Sequence, residues 1–309
     1  TGGLYLLFRT DIYGAQNETD ETNNIVAVPI TVGSPDLEIS AASAAPAAVF
    51  GQAVDLSWTV SNIGGNATAG TWRDRVYLSG DDQFDCDDLE LAAFTAREGD
   101  LPLAGGGSYT RTESIELPLR STLAAGAYYL IVVTDSGGEV AELSEDNNRA
   151  ATAAVNVALP DLPDLQVSLV TAPAAGHSGQ AVELTWTVAN SGSGDATGSW
   201  SDRVYLSADG AVGADQHIAS FAYAGTIASG SSLVRTQTVV LPSDLQGQAW
   251  FVVAANANGG LFEHTATDNN AAVAAAPIDV TLHAPNLQVA AVQPPQTASS
   301  GQAVTVEYT

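Results

Sequence analysis

The hexapeptide Asp74-Arg75-Val76-Tyr77-Leu78-Ser79 occurs again, unchanged, as Asp202-Arg203-Val204-Tyr205-Leu206-Ser207, 128 residues later. Each copy follows a tryptophan by the same step, Trp72 and Trp200. Other landmarks keep pace. Gly51-Gln52-Ala53-Val54 returns at 179–182 and at 301–304. Pro35-Asp36-Leu37 returns as Pro163-Asp164-Leu165 and as Pro285-Asn286-Leu287. An Asn-Asn pair closes each round, at Asn23-Asn24, Asn147-Asn148 and Asn269-Asn270. Independent landmarks at one spacing define repeats. At roughly 125 residues, each is a domain able to bury its own core and too long for a solenoid turn. The chain therefore divides into the C-terminal part of one repeat (1–33), two complete repeats (35–157 and 163–281) and the N-terminal part of another (285–309).

In the first complete repeat, Val54, Leu56, Trp58 and Val60 alternate with Asp55, Ser57, Thr59 and Ser61. The second repeats this with Val182, Leu184, Trp186 and Val188, and Val304, Val306 and Tyr308 begin it a third time. A period of two turns one face to the core and the other to water, so Trp58 and Trp186 are predicted core plugs. Further strands are predicted near Leu37, at Leu89–Phe94, Tyr109–Leu117, Tyr128–Thr134 and 150–157, with Leu4–Thr10 and Ile25–Val32 in the first part. That makes about seven per repeat, and no segment shows a 3.6-residue period. The expected fold is all-β: tandem antiparallel β-sandwiches. The linkers are short and hold Pro35, Pro160, Pro163 and Pro285, which restrict the backbone and favour a stiff array.

Acidic residues outnumber basic ones 35 to 9, for a net charge of −26. A field of that sign disfavours nucleic acid and anionic membrane surfaces. No apolar run approaches the roughly 18 residues of a membrane span, so no membrane insertion is expected. The chain contains no lysine, which excludes Lys–Asn isopeptide cross-links. Its one cysteine, Cys86, can form no intrachain disulfide and lies between Asp85 and Asp87, where carboxylates blunt a thiol. The four histidines do not cluster, and HExxH, phosphate-loop and nucleophile-elbow patterns are missing, so the chain is not expected to be an enzyme.

Three constellations remain. After the repeated hexapeptide, Asp81, Asp82, Asp85, Asp87 and Asp88 crowd eight residues; the second repeat keeps Asp209 and Asp215. Such carboxylates repel unless a cation bridges them, and calcium takes oxygen ligands from loops of this kind. These are candidate calcium loops, with a solvated acidic hairpin as the alternative; calcium is the one cofactor implied. A second acidic loop precedes the last strand: Asp135, Glu139, Glu142, Glu145 and Asp146, and Asp11, Glu18, Asp20 and Glu21 in the first part. There Asn147 and Asn148 are expected to form a tight turn through local backbone bonds, with a calcium ion as the alternative. Third, Asp74 is in phase with Val76 and Leu78, and Arg111 with Ile115 and Leu117; Asp202 and Arg235 repeat this. A lone buried charge is costly, so pairs Asp74–Arg111 and Asp202–Arg235 are predicted. The alternative leaves both groups at a wet rim, with Arg75 and Arg203 as competing partners.

The Pro-Asp-Leu opening, the Asp-Arg-Val-Tyr-Leu-Ser strand with its aspartate loop, Tyr129–Asp135 and Glu145-Asp146-Asn147-Asn148 together resemble the CARDB family, the cell-adhesion-related domain found in bacteria. The resemblance implies immunoglobulin-like sandwiches, usually tandem, in very large secreted or surface-attached bacterial proteins. The second complete repeat departs from the pattern at 256–270, with a longer loop and fewer acids. The expected function is that of non-enzymatic, calcium-rigidified extender repeats of a giant extracellular bacterial adhesin or surface filament. Its partners would be neighbouring repeats and other copies of the chain. The alternatives are a glycan- or protein-binding module, with an exposed aromatic cluster drawn from Tyr223, Trp250, Phe251 and Phe262, and a self-assembling filament subunit.

Overall fold

The computed structural model describes residues 2–20, 22–283 and 287–309. Glu21, the Pro285-Asn286 landmark and the boundary expected at 285 lie outside the described residues. Two compact units are present, Thr1–Pro160 and Asp161–Thr309.

The first unit opens with an antiparallel hairpin, β1 (Gly2–Arg9) and β2 (Ile25–Val32). Among the described residues no second sheet covers it, and Leu4, Tyr5, Leu6, Leu7 and Phe8 are exposed. A complete repeat follows: β3 (Leu37–Ala44), β4 (Ala47–Val49), β5 (Ala53–Asn62), β6 (Arg73–Ser79), β7 (Leu89–Thr95), β8 (Ser108–Glu116), β9 (Gly126–Val133), β10 (Arg149–Ala151) and β11 (Val155–Ala158). One sheet is β3-β5-β8; the other is β4-β11-β9-β6-β7, with β10 also on β9. The second unit repeats the plan with β12 (Leu165–Thr171), β13 (Ala175–His177), β14 (Ala181–Asn190), β15 (Ala196–Ser207), β16 (Gln216–Ile227), β17 (Ser232–Val240), β18 (Gly247–Ala254), β19 (Ala271–Val273) and β20 (Ile278–Thr281). Its sheets are β12-β14-β17 and β13-β20-β18-β15-β16, with β19 on β18.

The alternating strand forms the middle of each three-stranded sheet. Val54, Leu56, Trp58 and Val60 are buried, as are Val182, Leu184, Trp186 and Val188. Each such side chain contributes about 1.5–3 kcal/mol by leaving water. The strand expected near Leu37 is in fact two. Pro46 follows β3, and Pro173 follows β12; lacking an N–H, each interrupts one ladder and lets the chain cross to the other sheet. There β4 pairs in parallel with β11, and β13 with β20. The strand expected at 150–157 is likewise divided, into β10 and β11.

The Gly-Gln-Ala-Val landmark has a backbone cause. Gly51, Gly179 and Gly301 take φ of 80°, 75° and 82°, a left-handed turn that β-carbons resist. The third copy leads into less than the sequence promised: only β22 (Glu307–Tyr308) forms, against β21 (Val292–Gln293), and Val304, Val306 and Tyr308 are exposed. With no facing sheet among the described residues, their apolar face has nothing to pack on.

Candidate functional site

At the heart of each sandwich a carboxylate is sealed from water: Asp74 and Asp202 are both 0% exposed. The repeated hexapeptide places each inward on the same face as Trp72 or Trp200. In the first repeat the Trp58 indole N–H and the Tyr109 hydroxyl donate to Asp74 Oδ2, each at 3.0 Å, and the Thr134 hydroxyl donates to Oδ1 at 2.8 Å. Burial raises the Asp74 pKa, while these three donors and the more distant Arg111 charge oppose the rise. Burial and the Asp74 charge push the Tyr109 phenol up in turn.

The direct Asp74–Arg111 pair predicted from the sequence does not form. Arg111 donates to Glu113 Oε1 at 2.7 Å and to the Thr95 carbonyl at 2.8 Å, and lies 4.6 Å from the Phe94 ring centre. Three substitutions between the repeats explain the outcome. Strand register sets Tyr109 where the second repeat has Leu233, Glu113 where it has Gln237, and Thr134 where it has Ala255. Without those donors and that competing acid, Arg235 turns inward. Its Nη1 donates to Asp202 Oδ2 at 2.5 Å, with side chains 8% and 0% exposed. Its Nη2 donates to the Ala222 carbonyl at 3.0 Å. Trp186 keeps the indole bond to Asp202 at 3.0 Å, and Asp202 Oδ1 has no partner. Arg75 does not compete for Asp74: it pairs with Glu90 at 3.5 Å.

A second polar centre was not read from the sequence. Asn62 and Asn190, the last inward residues of their alternating strands, are 0% and 1% exposed. Asn62 Oδ1 accepts the Asp36 and Gly64 N–H groups, and its Nδ2 donates to the Asn66 and Leu103 carbonyls. Asn190 repeats this with Asp164, Gly192, Gly194 and Ile227. A β-carbon on Gly64 would fall 2.4 Å from the Ser34 carbonyl, and one on Gly192 2.3 Å from that of Leu162, so both turns require glycine. The signal was available: an amide at an inward place, twice.

The same segment meets the acidic loop. Leu37 N–H donates to Glu142 Oε2 at 2.9 Å, and Leu165 N–H to Glu263 Oε2 at 2.7 Å. Asn147 was expected to bond local backbone; its Nδ2 instead donates to Asp36 Oδ1 at 3.0 Å, as Asn269 does to Asp164 Oδ1 at 2.8 Å. Asn148 donates to Glu145 Oε2. Asn147 thus fastens the loop to the segment that opens the repeat, while the Asn148 side chain stays within the loop. Burial first, then the charges of Asp135 and Glu145, push Glu142 up to about 7.

The aspartates of the candidate calcium loop cap turns. Asp81 Oδ1 accepts Gln83 N–H, Asp85 Oδ1 accepts Asp87 N–H, Asp88 Oδ2 accepts Asp85 N–H, and Asp82 accepts the Gln83 amide. Asp209 accepts the Ser207 hydroxyl and Ala211 N–H; Asp215 accepts Gly213 N–H. Among the described residues no group of three or more His, Cys, Asp or Glu side chains is gathered as a metal site. Phe251 is fully buried, Tyr223 packs on Trp200 at 4.5 Å, and Phe262 is exposed, so the four aromatics form no single surface cluster.

Fold and polar centres define a tandem pair of immunoglobulin-like β-sandwiches. The CARDB family model matches residues 34–152 and again 162–273, and the chain belongs to the CARDB family. Among solved structures, a CARDB domain of Pyrococcus furiosus PF1109, in complex with di-metal ions, is 22% identical, covering 42% of this chain and 100% of its own, with a TM-score of 0.32. Fibronectin(III)-like modules of Clostridium thermocellum CbhA are 17% identical over 82% of this chain and 99% of theirs, with a TM-score of 0.23. No curated protein matches the chain. No helix among the described residues is long and apolar enough to cross a membrane.

Proposed function

We propose that this chain is a length of non-enzymatic extender repeats from a giant extracellular bacterial adhesin or surface filament protein, stiffened by calcium. The observation that carries the reading is the parallel pairing of β4 with β11, and of β13 with β20. These strands lie near the start and end of each repeat. A pull on a repeat's two ends draws parallel neighbours in opposite senses, so their hydrogen bonds are loaded together in shear. The buried Asp74, Asp202, Asn62 and Asn190 support the same reading, because each is committed to internal partners and sealed from any substrate. Surface acidity of net −26 opposes mispairing between neighbouring repeats, the usual failure of tandem β-domains.

Stretching the full chain in a single-molecule instrument tests the mechanical part. Two unfolding events are expected. Ala48→Pro, which removes an N–H inside β4, should lower the force of one of them only. Events at forces indifferent to this change would sink the reading. Thermal unfolding in millimolar calcium and in chelator tests the ion. A site filled at 100 times its dissociation constant adds about 2.7 kcal/mol. An upshift removed by replacing Asp81, Asp85 and Asp87 would place calcium in that loop; no shift would leave the acids as a device for solvation and repulsion.

A further inference from the structure

Both complete repeats build the loop before the last strands around one glutamate, half-buried Glu142 in the first and buried Glu263 in the second, but they finish it differently. In the second repeat both Glu263 oxygens are satisfied. Oε2 accepts Leu165 N–H, and Oε1 accepts the side-chain amides of Asn256 and Asn270. In the first, Glu142 Oε2 accepts Leu37 N–H, but Oε1 is shielded from water and accepts no well-formed hydrogen bond; the Asn148 amide only opposes the rise of its pKa. The place of Asn256 is taken by Asp135, whose side chain has no N–H to offer; its two oxygens accept the Glu139 and Val140 N–H groups at 2.7 and 2.9 Å. The first repeat also adds Glu145, where the second has no acid between Glu263 and Asp268. Asn148 is 5% exposed; its amide lies 3.2 Å from Glu145 and faces Glu142, and its Oδ1 has no partner. Orphaned Asn Oδ1 atoms occur in both repeats, so the distinguishing group is Glu142 Oε1.

A shielded carboxylate oxygen without a well-formed hydrogen bond, a second carboxylate three residues on that shares the Asn148 amide with it and a buried amide oxygen with nothing to accept leave one positive partner wanting. We propose that the first repeat binds a divalent cation of the calcium class between Glu142 and Glu145, with Asn148 Oδ1 as a neutral ligand, and that the Asn256 amide replaces this ion in the second repeat. Calcium accepts carboxylate and amide oxygens together, so the site does not need three acids. A half-turn of the Asn148 amide exchanges its nitrogen for its oxygen. Bound there, the ion fastens the loop to the first strand through Glu142 and Leu37. The first part of the chain carries Asp11, Glu18 and Glu21 at the same distances from its Asn-Asn pair as Asp135, Glu142 and Glu145 from theirs. The inference rests on the reading of these repeats as calcium-stiffened, but it places the ion away from the Asp81–Asp88 loop, so the two sites can fail separately.

Hydrogen exchange of the full chain, measured by mass spectrometry in millimolar calcium and in chelator at fixed salt and neutral pH, tests the site. Calcium is expected to slow exchange about tenfold or more in 35–39 and 135–148, as for an ion at ten times its dissociation constant or above, and to leave 163–167 and 256–270 unchanged. Glu142→Gln should abolish the response. Asp135→Asn should abolish it while giving slow exchange even in chelator, because the new amide takes the ion's place. An unresponsive 135–148 segment, or the same response in Glu142→Gln, would overturn the proposal. So would a loop that is stabilised by acid and indifferent to calcium, whose missing partner is then a proton. Slowing confined to 81–88 would overturn it too, while leaving the aspartate loop as the calcium site.

Discussion

Asp74 and Asp202 occupy the same place, each on the repeated hexapeptide, each sealed from water and each taking an indole N–H at 3.0 Å. Their remaining partners differ in kind. Asp74 is held by two neutral hydroxyls, Tyr109 and Thr134, and Asp202 by the Arg235 guanidinium. The hexapeptide therefore decides that a carboxylate is buried, and residues on other strands decide how it is compensated. Neither solution is stronger in principle: the attraction of a buried ion pair is offset by the cost of desolvating both ions. The difference lies in what happens when a partner is lost. Neutral donors can be removed one at a time, whereas an arginine removed leaves a bare charge.

The largest expected effect follows. Arg235→Leu should destabilise the second repeat by about 3–5 kcal/mol, since Asp202 keeps only the Trp186 bond. Urea unfolding of the full chain, read by hydrogen exchange of second-repeat peptides, measures it; a loss below about 1 kcal/mol would show that Arg235 is not what compensates Asp202 in the folded state. Tyr109→Phe comes next. It removes one of three donors to Asp74 and should cost the first repeat about 1.5–3 kcal/mol in the same assay. The order sharpens the contrast: if Tyr109→Phe proved the costlier change, the neutral donors would be the more tightly coupled network.

Arg111→Leu should cost about 1 kcal/mol or less, the sum of a partly exposed ion pair with Glu113 and a cation–ring contact with Phe94. From sequence alone, Arg111 and Arg235 looked alike. Periodicity made the sandwich legible, because alternation on a strand reports which face is buried, and Asp74 and Asp202 lay on that face. It could not report which donor reaches a buried acid. That choice depends on Tyr109 and Thr134, which lie far from Asp74 in sequence and meet it only once β8 and β9 are placed, and on Glu113, which holds Arg111 away. The Pro-Asp-Leu and Asn-Asn landmarks were visible as punctuation, but their bond to each other, Asn147 to Asp36, spans 111 residues. The split of the first strand at Pro46 was legible only in hindsight: proline marks a break, not the sheet the chain joins next.

The smallest effect contrasts the two glutamates through pH. Burial lifts Glu142 from its ordinary 4.5 to about 7, and it raises Glu263 as well, against three opposing hydrogen bonds. A carboxyl raised by folding binds more protons in the native state than in the unfolded chain between those two values. Its stabilising contribution is thus fully present below pH 4.5 and lost as pH rises toward 7. Glu142 is only partly buried, so screening holds the change to about 1 kcal/mol or less. In chelator, Glu142→Gln should reduce the pH slope of the first repeat's stability across that window, because an amide does not titrate and can donate where the carboxylate could not. Asp135 titrates nearby, pushed up to about 6 by burial and by its Glu139 neighbour, and keeps its own slope in the variant. The difference between wild type and Glu142→Gln therefore reports Glu142 together with its charge coupling to Asp135. Identical pH profiles would mean that water reaches Oε1, and the contrast with Glu263 would then lie in hydration rather than in charge.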